Sequence, residues 1–235
     1  MNKQNGNMYD FITHTSNLIK GLCPHECGYC YMKSIFRRYH SDETLRLDEK
    51  EFKVNYGKDK FIFLGTSTDM FANTVPTEWI IRVYDKCLQH QENKYLFQSK
   101  NPGRFLEPQL INHPLMQLKD KIYFASTIES NRDYPISKAQ CMTERADAMA
   151  QLQAMGFSVM VTIEPIMDFD HDSLVEMLRK IKPFQVNIGC NTNREAKLQE
   201  PTCEQIVTLV QELRTFTKVE LKSNSSRILG DLSKI

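Results

Sequence analysis

The sequence predicts an α/β protein built as a partial TIM-type (β/α)6 barrel with parallel strands. Three observations lead there. Short β-branched or aromatic runs alternate with longer segments of helical periodicity. Strands separated by helices pair in parallel through right-handed crossovers, and six or seven such units in 235 residues suit a barrel better than a two-domain enzyme. No fixed-period repeat, low-complexity tract or Pro/Ser-rich linker divides the chain. A single domain over 1–235 is therefore expected, with its core at about 11–191 and a C-terminal helix and strand within 202–224. A doubly wound open sheet is the competing architecture; in both, ligands bind beyond the carboxyl ends of the strands.

Phe11 to Ile19 is the first expected strand, and its Lys20-Gly21 end leads into a cysteine cluster. Phe61 to Gly65 is the second, stopping at the small polar run Thr66-Ser67-Thr68-Asp69. Pro76 to His90 follows as a helix, with Thr74 as its cap and Trp79, Ile80, Val83, Tyr84 and Leu88 on one face. Tyr95 to Gln98 is the third strand, broken by Asn101-Pro102-Gly103, with a short helix over about Arg104 to Gln109 and more helical turns before Asp120. Lys121 to Ile128 is the fourth, and Thr143 to Met155 a helix closed by Gly156. Phe157 to Ile163 is the fifth, followed by a helix from about Asp172 to Ile181 that Pro183 ends. Gln185 to Ile188 is the sixth strand, Thr202 to Thr215 a helix capped by Thr202, and Lys218 to Leu221 a short seventh strand.

Composition narrows the class. With 41% apolar and 25% charged residues and a mean hydropathy of −0.46, the chain has the makings of a globular core and is not intrinsically disordered. Thirty Lys and Arg against 29 Asp and Glu leave +1, so no whole-molecule field draws in nucleic acid or an anionic membrane. No apolar run approaches the ~18 residues of a membrane span, and the polar stretch from Met1 to Asp10 is not a signal peptide. The expected location is cytoplasmic. Seven cysteines, an odd number in a reducing compartment, then argue for metal or catalysis rather than cross-links.

Three of the seven lie within eight residues: Cys23, Cys27 and Cys30, spaced C-x3-C-x2-C in Gly21-Leu22-Cys23-Pro24-His25-Glu26-Cys27-Gly28-Tyr29-Cys30-Tyr31. Three thiolates on one loop converge on a soft metal centre. Structural zinc wants a fourth ligand, and no second pair follows, although His25 inside the loop is a candidate. Three ligands suit a cubane iron–sulfur cluster with one iron left open. Cys87, Cys141, Cys190 and Cys203 stand singly.

The Cys23-Cys27-Cys30 spacing, with Tyr29 just before the last cysteine, resembles the signature of the radical S-adenosylmethionine (SAM) superfamily. Phe63 to Phe71, Val75 to Ile80, Phe97 to Pro102, Ser126 to Glu129 and Ile163-Glu164-Pro165 are similar to a phage-associated radical SAM family of unknown function. Spore photoproduct lyases are a more distant likeness. The similarity covers roughly Phe11 to Asn191.

The resemblance implies the radical SAM fold, a [4Fe–4S] cluster on Cys23, Cys27 and Cys30, and SAM as its partner. It implies an enzyme that cleaves SAM reductively to a 5′-deoxyadenosyl radical and abstracts hydrogen from an unidentified substrate. An external electron donor of the flavodoxin or ferredoxin kind follows from that chemistry. Thr66, Ser67 and Thr68 map to contacts with the SAM amino group, and Lys100 suits its carboxylate. Thr127 and Glu129 reach the methionine and ribose, and Tyr29 lies by the adenine. Period-2 alternation puts Thr127 with Glu129, Thr162 with Glu164, and Thr66 with Thr68 on ligand-facing sides, with Ser126 turned away. Glu129 and Glu164, if buried, need partners, which ribose hydroxyls or the methionine ammonium would supply. The lyases carry a hydrogen-donating cysteine where this chain has Thr66, which speaks against thymine-dimer repair; Cys190 is a weak substitute donor, with a small buried hydrophobe as its plainer reading. Lys33, Arg37 and Arg38, with Tyr39 and His40, form a basic and aromatic group that Arg104 and Arg227 would join; it suits a nucleic-acid backbone as partner, with a solvated helix face as the default reading. The alternative function is a non-enzymatic zinc or iron–sulfur module that binds nucleic acid or a protein.

Overall fold

The computed structural model describes residues 1–4, 9–193 and 195–231. The chain opens with β1 (Asn2–Lys3), β2 (His14–Ser16) and β3 (Ile19–Lys20), then α1 (Met32–Tyr39), β4 (Arg46–Leu47) and α2 (Glu49–Phe52). Regular alternation follows: β5 (Phe61–Leu64), α3 (Thr77–Leu88), β6 (Lys94–Ser99), α4 (Pro108–Ile111), β7 (Ile122–Thr127), α5 (Met142–Ala154), β8 (Ser158–Ile163) and α6 (His171–Ile181). It closes with β9 (Gln185–Ile188), α7 (Cys203–Leu213), β10 (Lys218–Leu221) and α8 (Ser226–Leu229).

Strands β2, β5, β6, β7, β8, β9 and β10 are parallel neighbours in that order, and β1 adds an antiparallel edge. Order in the sheet follows order in the chain, with no reversal. A doubly wound sheet needs a reversal to place helices on both faces, so the crossovers here stay on one side and the sheet curls as a partial barrel.

The two faces of the sheet divide the apolar residues. Ile62, Leu64, Tyr95, Phe97, Phe124, Val159, Val161, Val186 and Ile188 pack outward in the main core with Ile80, Val83, Tyr84, Met149, Leu152, Leu174, Leu178, Ile206 and Leu209 from the helices. The alternate residues Phe63, Leu96, Ala125 and Met160 turn into the lumen, where they join Tyr9 and Ile12 in a second apolar cluster. Below it Phe11, Phe61, Tyr123 and Phe184 stack ring against ring, with centroids 4.7 to 6.2 Å apart, and plug the N-terminal end.

Several expectations change here. The first strand is only His14–Ser16, because Phe11 and Ile12 leave the sheet to plug the lumen, and Ile19–Lys20 pairs instead with Arg46–Leu47. Thr74 does not cap α3; Pro76 holds that position, with no side-chain cap bond. The short helix expected over Arg104 to Gln109 is split between a 3-10 turn (Pro102–Leu106) and α4, and the further turns expected before Asp120 are a second 3-10 turn (Pro114–Gln117), a proline opening each piece. Thr202 does cap α7, in a capping box with Gln205. Among the described residues, no helix is long and apolar enough to cross a membrane.

Candidate functional site

The strand ends deliver the site. Two residues beyond the apolar lumen layer, Gln98, Thr127 and Thr162 face the same way as Leu96, Ala125 and Met160. Thr162 Oγ1 donates to Thr127 Oγ1 at 3.0 Å, Gln98 Nε2 donates to the same oxygen at 3.3 Å, and the Tyr9 hydroxyl donates to Gln98 Oε1 at 2.7 Å. This polar layer floors a cavity of about 450 Å³, inside the ~300–1,000 Å³ range of small-molecule sites. Ser126 turns away as expected and donates to the Ser99 carbonyl at 2.8 Å.

One wall is the cysteine loop. The β3–β4 pairing presses residues 44–45 against Gly21, where a Cβ would lie 2.6 Å from the Thr44 carbonyl oxygen; a φ of +122° adds a second reason for glycine. The loop is then tied down from three sides. Thr68 Oγ1 donates to the Gly21 carbonyl at 2.5 Å, His25 Nε2 meets Asp69 Oδ2 at 2.9 Å, and the N–H groups of Gly28 and Lys138 donate to the Ile136 and His25 carbonyls at 2.8 and 2.7 Å.

Cys23, Cys27 and Cys30 all line the cavity as free thiols. Burial, then the Asp69 carboxylate, pushes the Cys23 thiol up to about 12; burial raises Cys27 as well, against the pull of Lys100. Thiols this costly to ionise alone suit a cation that takes over their charge, because ligation needs the thiolate. Among the described residues, no three His, Cys, Asp or Glu side chains gather around a point that one metal ion would fill. Three thiols of one loop, with His25 Nε2 engaged on Asp69, suit a cubane cluster held by three cysteines better than a four-ligand structural zinc. His25 does not join as a fourth ligand through Nε2, which is engaged on Asp69.

Two carboxylates, one partly and one fully buried, organise the groups around Lys100. Asp69 accepts from Ser99 Oγ at 2.9 Å and from the N–H groups of Lys100 and Phe71 at 2.8 and 2.9 Å, besides meeting His25. Burial pushes its carboxyl up, yet His25 and those N–H groups hold it below the ordinary range. Glu129 is fully buried just past β7. Its Oε1 accepts from Lys100 Nζ at 2.8 Å and from the Tyr29 hydroxyl, and its Oε2 from Arg145 Nη1 at 2.7 Å. Burial again works against the charge, but Lys100 and Arg145 hold the carboxyl down at about 2.

This corrects one expectation. Glu129 shares the Thr127 direction but does not line the cavity, and the chain itself supplies the partners expected from a ligand. Of the other expected residues, Tyr29, Thr66, Ser67, Thr68, Lys100, Thr127 and Glu164 do line it. Tyr29 has its hydroxyl committed to Glu129 and its ring 5.2 Å from the Lys100 ammonium. Thr66 exchanges hydrogen bonds with the Asn17 amide at 3.1 and 3.2 Å. Cys190 is buried and lines the cavity, as do Asn191 and Lys222.

Arg104 does not join the basic group. It is buried, donating to the Ala72 and Val75 carbonyls at 2.7 Å. Arg227 pairs with Glu200, and Arg37, Arg38 and Tyr39 remain exposed on α1. Sequence reasoning missed the roles of Asp69, Arg145, Gln98 and Tyr9. Only Asp69 carried a signal, as the acid ending a polar strand terminus.

No protein-family model matches the sequence, and no curated protein matches it. Solved structures do. A spore photoproduct lyase mutant with bound AdoMet and dinucleoside spore photoproduct superposes with a TM-score of 0.64 at 12% identity, over 93% of this chain and 78% of that one. The lyase complexed with dinucleoside spore photoproduct gives 0.62 at 11% identity, with the same coverage. Streptococcus suis SuiB bound to S-adenosylmethionine gives 0.54 at 8% identity, over 90% of this chain and 50% of that one. Both neighbours are radical SAM proteins. These likenesses show a shared fold, and the phage-associated resemblance rests on sequence alone. The chain has the fold of the radical SAM proteins.

Proposed function

We propose that the chain, acting as one domain over residues 1–235, is a radical SAM enzyme that cleaves S-adenosylmethionine and abstracts hydrogen from a further substrate. The observation that carries this reading is the cavity itself: three free thiols of one loop open onto it at the C-terminal ends of parallel strands, facing the Lys100 cation. The neighbours of the same fold include structures with bound AdoMet and S-adenosylmethionine.

Cys23, Cys27 and Cys30 would hold a [4Fe–4S] cluster with one iron open toward the cavity. When bound, the cluster supplies one electron to the SAM sulfonium, whose C–S bond breaks to give methionine and the 5′-deoxyadenosyl radical. The chain's residues do the rest. Lys100 gives one N–H to Glu129 and keeps two for the SAM carboxylate. Thr66 and Thr68 are committed to Asn17 and Gly21, so the Ser67 hydroxyl beside them is the group left to meet the amino end. Thr127 and Thr162 floor the methionine and ribose. Glu164 lines the cavity with no hydrogen-bond donor among the described residues, and takes ribose hydroxyls or the ammonium. The Tyr29 ring packs at the Lys100 end. The plugged lower end of the lumen excludes water from the radical.

The electron comes from an external flavodoxin- or ferredoxin-like donor, in a cytoplasm that keeps the thiols reduced. The substrate class is open to nucleic acid, with α1 presenting Arg37, Arg38 and Tyr39. Cys190, on the cavity wall, is the candidate that returns a hydrogen atom.

Anaerobic reconstitution tests the reading. The protein should take up ~4 Fe and 4 S per chain and release 5′-deoxyadenosine from SAM on reduction. Stoichiometric zinc with no iron uptake overturns it in favour of a metal-binding module. Cys27→Ala should lose both iron and cleavage, and cleavage retained in that variant removes Cys27 from the ligand set. Substrate screening follows deuterium transfer into 5′-deoxyadenosine.

A further inference from the structure

Lys100 has two conflicting duties. Its ammonium faces the cavity, where the proposed function gives it the SAM carboxylate, yet 2.8 Å away it is paired with Glu129. A Lys–Glu pair is neutral as a unit and attracts a third charge weakly. The arrangement behind the wall resolves the conflict. Arg145, on α5, is 1% exposed and reaches Glu129 from the side away from the cavity. Its Nη1 donates to Glu129 Oε2 at 2.7 Å and to the Thr127 carbonyl at 2.8 Å, and its Nε donates to the Gln140 carbonyl at 2.7 Å. Two cations thus share one carboxylate, and one positive charge is left over. Arg145 is the member with no access to the cavity, so the surplus is presented by Lys100.

We propose that Arg145 is a positioning residue for SAM: it neutralises Glu129 from behind, so that Glu129 orients the Lys100 ammonium and the Tyr29 hydroxyl without cancelling the positive charge that Lys100 offers to the SAM carboxylate. The inference rests on the function proposed above. A desolvated wall magnifies the effect, because a unit charge within several Å of the carboxylate is screened far less there than in water. Guanidinium suits the buried position, since its planar fork satisfies a carboxylate and two carbonyls at once and does not lose its proton.

A carboxylate-specific measurement separates this role from a structural one. Equilibrium dialysis of anaerobically reconstituted protein gives the Kd for SAM and for decarboxylated SAM, and their ratio is the carboxylate preference. In R145M that preference should fall about tenfold, the order expected for one charge at this range in a partly desolvated wall. In E129Q/R145M, where no carboxylate remains to cancel Lys100, it should return to within about twofold of wild type. In E129Q alone it should match or exceed wild type. A purely structural role would weaken both ligands together in R145M and leave the ratio unchanged, which overturns the inference. Should R145M not fold, the other two variants decide: a preference that drops in either overturns it. Wild-type protein that takes up no iron and binds no SAM instead removes the proposed function beneath it, a result these variants cannot mimic.

Discussion

Asp69 and Glu129 lie on either side of Lys100, one bonded to its backbone N–H and the other to its side chain, and the chain stabilises the two carboxylates by different means. Asp69 is held by the His25 ring first, and by two backbone N–H groups and a serine hydroxyl. Glu129 is held by full charges, from Lys100 and Arg145, with the Tyr29 hydroxyl added. Donors around Asp69 belong to the cysteine loop and to the ends of strands, so that network fixes backbone. Donors around Glu129 include two side chains on the cavity wall, so that network sets what a ligand meets. A carboxylate can thus serve as a staple or as a counter-ion, and its partners decide which.

Removing each carboxylate tests that distinction. Glu129→Ala should have the largest effect, because it leaves the buried Arg145 and the cavity-facing Lys100 without their anion; about 3–5 kcal/mol of stability should be lost in urea unfolding. Asp69→Ala strands His25, a serine hydroxyl and two backbone N–H groups instead, and should cost about 2–3 kcal/mol by the same measurement. An order reversed between the two would show that the Asp69 network carries charge as well. Acid sharpens the contrast further. Glu129 titrates at about 2 in the fold against 4.5 for an ordinary glutamate, so the unfolded chain binds the extra proton. Its stabilisation is complete above pH 4.5 and is lost as pH falls toward 2. The acid limb of wild-type stability should therefore be steeper than that of Glu129→Gln over this window, and parallel limbs would refute the charge assignment. The smallest effect belongs to Thr68→Val on the Asp69 side, where one hydrogen bond to Gly21 is lost: about 1 kcal/mol, with iron uptake reduced only as far as the loop loosens.

Much of the barrel was legible. Gln185–Ile188 and Lys218–Leu221 are strands over the expected residues, because Pro183 and the capped α7 bound them with local signals. Where local signals conflicted with tertiary ones, the reading failed. Phe11 and Ile12 have strand-like side chains, but the lumen needed a plug more than the sheet needed a longer edge. Most of the candidate site could be placed by alternation from the ends of β5, β6, β7 and β8. Its charge network could not. Arg145 sits 16 residues beyond Glu129 on a helix, and no periodicity links the two. Arg104 looked like a surface cation for the opposite reason, since the carbonyls that bury it lie 29 and 32 residues away.

The connector between β7 and α5 joins both networks. Ile136 and Lys138 strap the cysteine loop through their backbones, and Arg145 on the following helix anchors Glu129. The consequence is a constraint on length. An insertion or deletion between Ile136 and Arg145 displaces strap against anchor, so the site constrains the length of that stretch independently of its side chains.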